Sequence, residues 1–221
     1  MLLEIKYWIA SFFIWLSGWN EDKDHTEARN YAKEHKKIMI IGEPHTHILD
    51  FFIMLMMSWY FKFENLRFFI TSKHMYPIIS ILFNMLGAIS VDRKKNKNGL
   101  VDAIVEEINK REGISVQIGP SGTREKTDKW RSGFYHIALK SNIPILCSYV
   151  DCKTKTFGFV APFRLTGDYK KDMDKIRDIY QNKHGMNPEN ISSIRIKEEE
   201  NNEEEISENN LRKRKQNNEV N

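Results

Sequence analysis

Cysteine is scarce in this chain. Only Cys147 and Cys152 occur in 221 residues, and they form no Cys-x-x-C pair. A disulfide framework and a thiolate zinc site are therefore excluded, and free buried thiols in a reducing compartment are expected. The amino-terminal apolar run, Tyr7 to Trp19, is shorter than the roughly 20 residues needed to cross a bilayer core. Glu4 precedes the single Lys6 and no Ala-x-Ala site follows, so a cleaved signal peptide is not expected either. Charge of one sign is lacking: 34 basic residues face 30 acidic ones, a net +4, far below what a nucleic-acid binder shows. Gly119-Pro120-Ser121-Gly122-Thr123-Arg124 has no lysine of a phosphate-binding loop, which argues against nucleotide binding. No internal repeat is visible.

What is present begins with aromatics. Tyr7, Trp8, Trp15 and Trp19 suit a helix over residues 1–20 lying in one leaflet, apolar body buried and polar edge wet. The alternative is that this run packs on the protein's own core. From 191 onward the chain is dominated by Glu, Asn, Lys and Arg, and 191–221 is expected to be a disordered tail. Residues 195–221 hold 6 basic and 8 acidic residues, leaving 28 against 22 in the rest. That mild surplus fits an anionic membrane surface or a phosphorylated substrate, and equally an ordinary soluble protein.

Between these ends the hydrophobic pattern alternates. Strands are expected at Ile38–Ile41, Leu66–Ile70, Ala88–Val91, Ile114–Ile118 and Ile143–Val150, with a further extended segment at Phe157–Leu165. Helices are expected over Asp22–Lys37, Phe51–Trp59, Pro77–Leu86, Gly99–Arg111, Gly133–Lys140 and Tyr169–Lys183. This is an α/β layout: a single domain over 21–190 with a central, mostly parallel sheet flanked by helices.

His45 and Asp50 lie where the first strand ends and a helix begins. An imidazole there can take a proton from an attacking hydroxyl, and a carboxylate can hold its tautomer and steady the imidazolium. Asp50 also suits the cap of the helix it opens. His45-Thr46-His47 invites a metal, but Leu49 stands where a metallo-hydrolase has its aspartate, so no metal is expected. Arg93 and Arg124 could grip a phosphate through their planar forks, and Gly122 and Thr123 could bring backbone amides to a phosphate or oxyanion.

Four segments in order resemble the glycerolipid acyltransferases, the 1-acylglycerol-3-phosphate (lysophosphatidate) acyltransferases often called PlsC-like. His45 to Asp50 is similar to the family's His-x4-Asp, Gly87 to Arg93 to its Gly-to-Arg block, Pro120 to Arg124 to its Glu-Gly-Thr-Arg block, and Ile143 to Leu146 to its Val-Pro-Val block. The likeness extends from about Gly18 to Pro188. It implies a fatty acyl group moving from an acyl thioester, acyl-CoA or acyl carrier protein, to the free hydroxyl of a lysophospholipid. No cofactor is implied, and the work is expected at a membrane surface, peripheral or monotopic, on the cytoplasmic side. His45 and Asp50 would be catalytic; Lys73, Arg93, Gly122, Thr123 and Arg124 would bind substrate. Phe51, Phe52 and Met54 could face an acyl chain. One departure stands out: Ser121 occupies the place of the family's glutamate, and Ser121→Glu is expected to keep or raise activity on phosphorylated acceptors.

Two other readings compete. Gly119-Pro120-Ser121-Gly122-Thr123 nearly makes a serine-hydrolase elbow, with Asp151 and His184 downstream as partners for an esterase or thioesterase. A membrane-associated lipid-binding protein that keeps the fold without catalysis is the third.

Overall fold

Residues 2–22, 30–31, 34–63, 65–71, 81, 83–91 and 99–200 are described by a computed structural model. Helix α1 (Leu2–Ser17) leads into the short strand β1 (Asn20–Glu21). Strand β2 (Lys37–Glu43), helix α2 (Ile48–Tyr60), β3 (Leu66–Thr71), β4 (Ala88–Val91), α3 (Gly99–Asn109) and β5 (Ile114–Ile118) follow. Helix α4 (Gly133–Ser141), β6 (Ile145–Asp151), β7 (Thr156–Phe163) and α5 (Tyr169–Tyr180) complete the domain, before a 3-10 turn at Pro188–Asn190.

The seven strands form one sheet in the order β1-β7-β6-β2-β5-β3-β4. Every pairing is parallel except β6 with β7. Strand β2 lies at the centre, flanked by β5 and β6. Its Ile38-Met39-Ile40-Ile41 run is buried on both faces, as a parallel central strand covered on each side must be. Alternation along it divides the core. Ile38 and Ile40 meet α2 through Met54, Leu55 and Met57. Met39 and Ile41 meet α3, α4 and α5 through residues such as Ile108, Phe134 and Ile176.

Helix α2 presents Met54, Leu55 and Met57 inward, and α5 buries Met173, Ile176 and Tyr180 at helical spacing. Asp168 caps α5 by accepting from the Lys171 amide at 3.1 Å. At the sheet centre, the Tyr180 hydroxyl donates to the carbonyls of Ile41 (2.8 Å) and Ser148 (3.0 Å) and so ties α5 to the strands that carry the site.

One side of the amino-terminal helix packs on the domain, as the alternative reading of its sequence expected. Ala10 is fully buried, Tyr7 stacks on Tyr60 of α2 at 5.6 Å, and Glu4 pairs with Lys62. The opposite side leaves Trp8, Phe12, Phe13, Trp15 and Leu16 exposed, Trp15 to 74%. Among the described residues no helix is long and apolar enough to cross a membrane.

The domain boundary drawn at 190 falls too early. Ile196 is completely buried against the α4 and α5 side, and the Arg195 carbonyl accepts from the Trp130 amide at 2.7 Å. Glu199 pairs with Arg177 and Glu198 with His136, both at 2.9 Å. Composition misled because these carboxylates have cationic partners and two isoleucines, Ile194 and Ile196, anchor the segment, neither of which a residue count registers. Of the expected helices, most of Asp22–Lys37 and half of Pro77–Leu86 lie outside the described residues.

Candidate active site

The site lies at the carboxyl end of β2, where an open parallel sheet characteristically binds ligands. The chain must leave β2 and enter α2 within four residues, and unpaired backbone donors arise at that helix start. Asp50 takes two of them: its Oδ2 accepts from Thr46 N at 2.6 Å and His47 N at 2.7 Å. The His47 ring completes the capping box by accepting at Nδ1 from Leu49 N, 3.2 Å. The capping role expected of Asp50 is thus present, and Nδ1 of His47 is occupied by the backbone.

His45 Nδ1 stands 3.9 Å from Asp50 Oδ2. This is ion-pair distance, beyond hydrogen-bond reach, and buried Nδ1 has no hydrogen-bond partner among the described residues. Catalytic hydrogen bonds are often long in ligand-free enzymes and tighten on substrate. Burial pushes the His45 pKa below its ordinary 6.5, Asp50 opposes this, and Arg124 adds to the downward push. The ring is therefore neutral at pH 7, the form a base requires.

Arg124 arrives on the loop after β5. Gly122 adopts φ +68°, and a Cβ there would lie 2.7 Å from Arg131 Cδ, so glycine is required. Its amide donates to the Gly119 carbonyl at 3.0 Å. That tight turn, rather than a free donor for an oxyanion, is what Gly122 provides. Beyond it Thr123 and Arg124 line a cleft of about 340 Å³ whose other wall is Thr46, His47 and Ile48.

Ser121 is only 2% exposed, and its hydroxyl donates to Thr123 O at 3.0 Å. Asp151 and His184 do pair with each other, at 3.3 Å. The group that reaches Ser121, however, is the Glu43 carboxylate: Oε1 accepts from Ser121 N at 2.9 Å and Oε2 from His45 N at 2.8 Å. A hydroxyl set in its own turn beside a carboxylate lacks the imidazole that activates a serine nucleophile.

Glu43 is 7% exposed. Burial raises its pKa from 4.5 to about 7, against the Ser121 and His45 hydrogen bonds that favour the anion, while Asp50 adds to the rise. A carboxyl that holds its proton more tightly when folded stabilises the fold below its unfolded value. This contribution disappears as pH climbs to the folded value. Between pH 4.5 and about 7 the wild type should thus lose about 3 kcal/mol relative to Glu43→Gln. Urea unfolding of both proteins at pH 5 and pH 8 measures this, and parallel pH dependences would contradict it.

A third segment completes the site without any motif to announce it. Asn187 donates its amide to Thr46 Oγ1 at 3.1 Å and its side-chain Nδ2 to the Thr46 carbonyl at 3.3 Å. Gly185 packs so closely that a Cβ would lie 2.5 Å from Thr46 Oγ1. Asn190 then lines the polar cleft. Met186 lines a second cavity of about 380 Å³, walled by Phe13 and Ile14 of α1, Phe52 and Met56 of α2, and Phe157 of β7. Of the residues expected to face an acyl chain, Phe52 lines this cavity. Phe51 instead packs on Phe68 and Phe83, and Met54 lies buried over Gly42.

The fold thus brings together His45, Asp50, Gly122, Thr123 and Arg124, and adds Glu43, His47 and Asn190. Lys73 and Arg93 lie outside the described residues. An imidazole after β2 and a guanidinium on the loop after β5, the latter lining a polar cleft, stand at the carboxyl ends of parallel strands, the arrangement of an α/β enzyme of the open-sheet class. A family model described as Acyltransferase matches residues 24–150, more than half of the chain, and the protein belongs to that family. Its reaction class is O-acyl transfer. A search of curated proteins finds no match.

Proposed function

We propose that the protein moves a fatty acyl group from an acyl thioester, acyl-CoA or acyl carrier protein, to the free hydroxyl of a phosphorylated glycerolipid such as lysophosphatidate. The observation that carries this reading is Arg124, which stands close enough to His45 to shift its proton affinity and lines a polar cleft. An apolar cavity shares the adjoining Leu49–Phe52 stretch. A phosphate suits the guanidinium, and an acyl chain suits the cavity.

His45 takes the proton of the acceptor hydroxyl as its oxygen attacks the thioester carbonyl. The C–S bond breaks, and the departing thiolate recovers that proton from the imidazolium. Transfer is direct. Both thiols are poor nucleophiles, Cys147 with its pKa pushed up to about 12 and Cys152 to about 11, in each case chiefly by burial. A trapped covalent acyl-protein on the reaction path would contradict this mechanism.

The exposed face of α1 continues into Ile48, Leu49 and Phe52 at the start of α2. An apolar, aromatic surface of this kind beside the cavity suits a membrane interface on the cytoplasmic side, where both lipid substrates reside.

The test is purified protein with radiolabelled acyl-CoA and a panel of monoacyl acceptors with and without phosphate. Phosphorylated acceptors should be preferred at least roughly tenfold in kcat/KM, and Arg124→Ala should abolish the preference, since a charge-assisted hydrogen bond contributes about 1.5–3 kcal/mol. Equal use of both acceptor classes by the wild type would refute the phosphate assignment.

A further inference from the structure

Two loops meet at the site, one leaving β2 and the other leaving β5, and a single carboxylate spans them. Glu43 accepts from His45 N with one oxygen and from Ser121 N with the other, across 78 residues of sequence. His45 is the base of the reaction proposed above, and Ser121 lies three residues before Arg124 in a turn held tightly by Gly122. At the start of that second loop, Gly119 sits against the His45 ring, where a Cβ would come 3.6 Å from Cδ2. The Glu43 carboxylate thus ties the backbone that carries His45 to the backbone that leads into Arg124.

The chemistry of the bridge is restrictive. Here two N–H donors, one on each loop, meet separate oxygens of one side chain, and a carboxylate offers both as acceptors. A glutamine would turn its NH2 onto one donor, and a hydroxyl could reach only one. Among the described residues, the titratable groups around the carboxylate are His45 on the loop that follows it, Asp50 in the first turn of α2 and Tyr180 on α5. None is a fixed cation, so the two amides are what hold the carboxylate in place.

We infer that Glu43 is a positioning residue that supplies, from the base-bearing loop, the carboxylate that the Ser121 loop lacks, and thereby sets Arg124 against His45 for a phosphorylated acceptor. This inference rests on the acyl-transfer reading. It reverses the expectation for Ser121→Glu: the site already contains a carboxylate, and a second one beside it would repel the first.

The test is a swap. Glu43→Ser should lower kcat with acyl-CoA and lysophosphatidate by about 100-fold, the scale of an ångström-sized misplacement, while KM for acyl-CoA moves by less than roughly threefold. Ser121→Glu alone should fall at least roughly tenfold. The double variant Glu43→Ser/Ser121→Glu, which keeps volume and charge and returns the carboxylate from the opposite loop, should recover to within about tenfold of wild type. A merely structural role predicts that two destabilising changes compound, so a double variant no better than the poorer single overturns the inference, as does full kcat in Glu43→Ser.

A second measurement does not depend on turnover. Hydrogen exchange followed by NMR should show the His45 and Ser121 amides losing protection together in Glu43→Gln, by at least roughly tenfold, while Val116 in β5 keeps its own. Unchanged protection at Ser121 overturns the inference even if Glu43→Ser fails to fold. If the wild type transfers acyl groups to no acceptor, the functional reading fails while the exchange result still decides the role of Glu43.

Discussion

Replacing His45 by alanine is expected to lower kcat for acyl transfer by about 1,000-fold, within the range that general-base catalysis contributes. The fold should survive, with unfolding free energy changing by less than about 1 kcal/mol. The reason lies in how the ring is held. Its Nδ1 has no hydrogen-bond partner among the described residues, so truncation orphans no buried group there, and the loop is fixed through backbone amides bonded to Glu43 and Asp50. The ring is neutral at pH 7 because burial and Arg124 outweigh Asp50, so no charge is lost with it. Turnover assays beside thermal melting and vesicle sedimentation separate chemistry from folding and membrane binding. Retention of turnover to within roughly tenfold would place the base elsewhere.

The second large effect is expected at Asp50, where capping and catalysis share one oxygen. Asp50→Ala leaves the Thr46 and His47 amides without their acceptor at a helix start, which should cost about 3 kcal/mol of stability. Asp50→Asn keeps a side-chain oxygen for those amides but removes the charge 3.9 Å from His45. It should therefore cost only about 1 kcal/mol yet reduce kcat at least about 100-fold, because nothing then steadies the imidazolium. An Asp50→Asn enzyme with unimpaired kcat would leave Asp50 as a cap alone.

Much of the architecture was legible along the chain. The Ile38–Ile41 run, the alternation of strands and helices, and the His45-to-Asp50 step from strand to helix are local patterns with a fixed period, and the fold places each where that period requires. Asp50 as a cap was legible for the same reason, since it acts on residues three and four positions before it. What was not legible depends on contacts without a period. Phe51 and Met54 lie within two residues of Phe52, but only the packing of neighbouring elements decides which of them meets the cavity. The segment 191–200 was misread because its carboxylates look solvated until Arg177 and His136 are seen beside them.

By itself, then, the amino-acid order determined the α/β class, the strand that ends at the candidate site and the place of His45 and Asp50 at the step from that strand to the next helix, because hydrogen-bonded elements impose their repeat on neighbouring residues. Only the tertiary structure decided that Asn190 lines the cleft, that Glu43 accepts from the Ser121 amide and that Asn187 donates to Thr46. Those partners lie 78 and 141 residues from the groups they hold. At such separations, sheet order and helix docking choose the neighbour, and no short-range propensity carries that information.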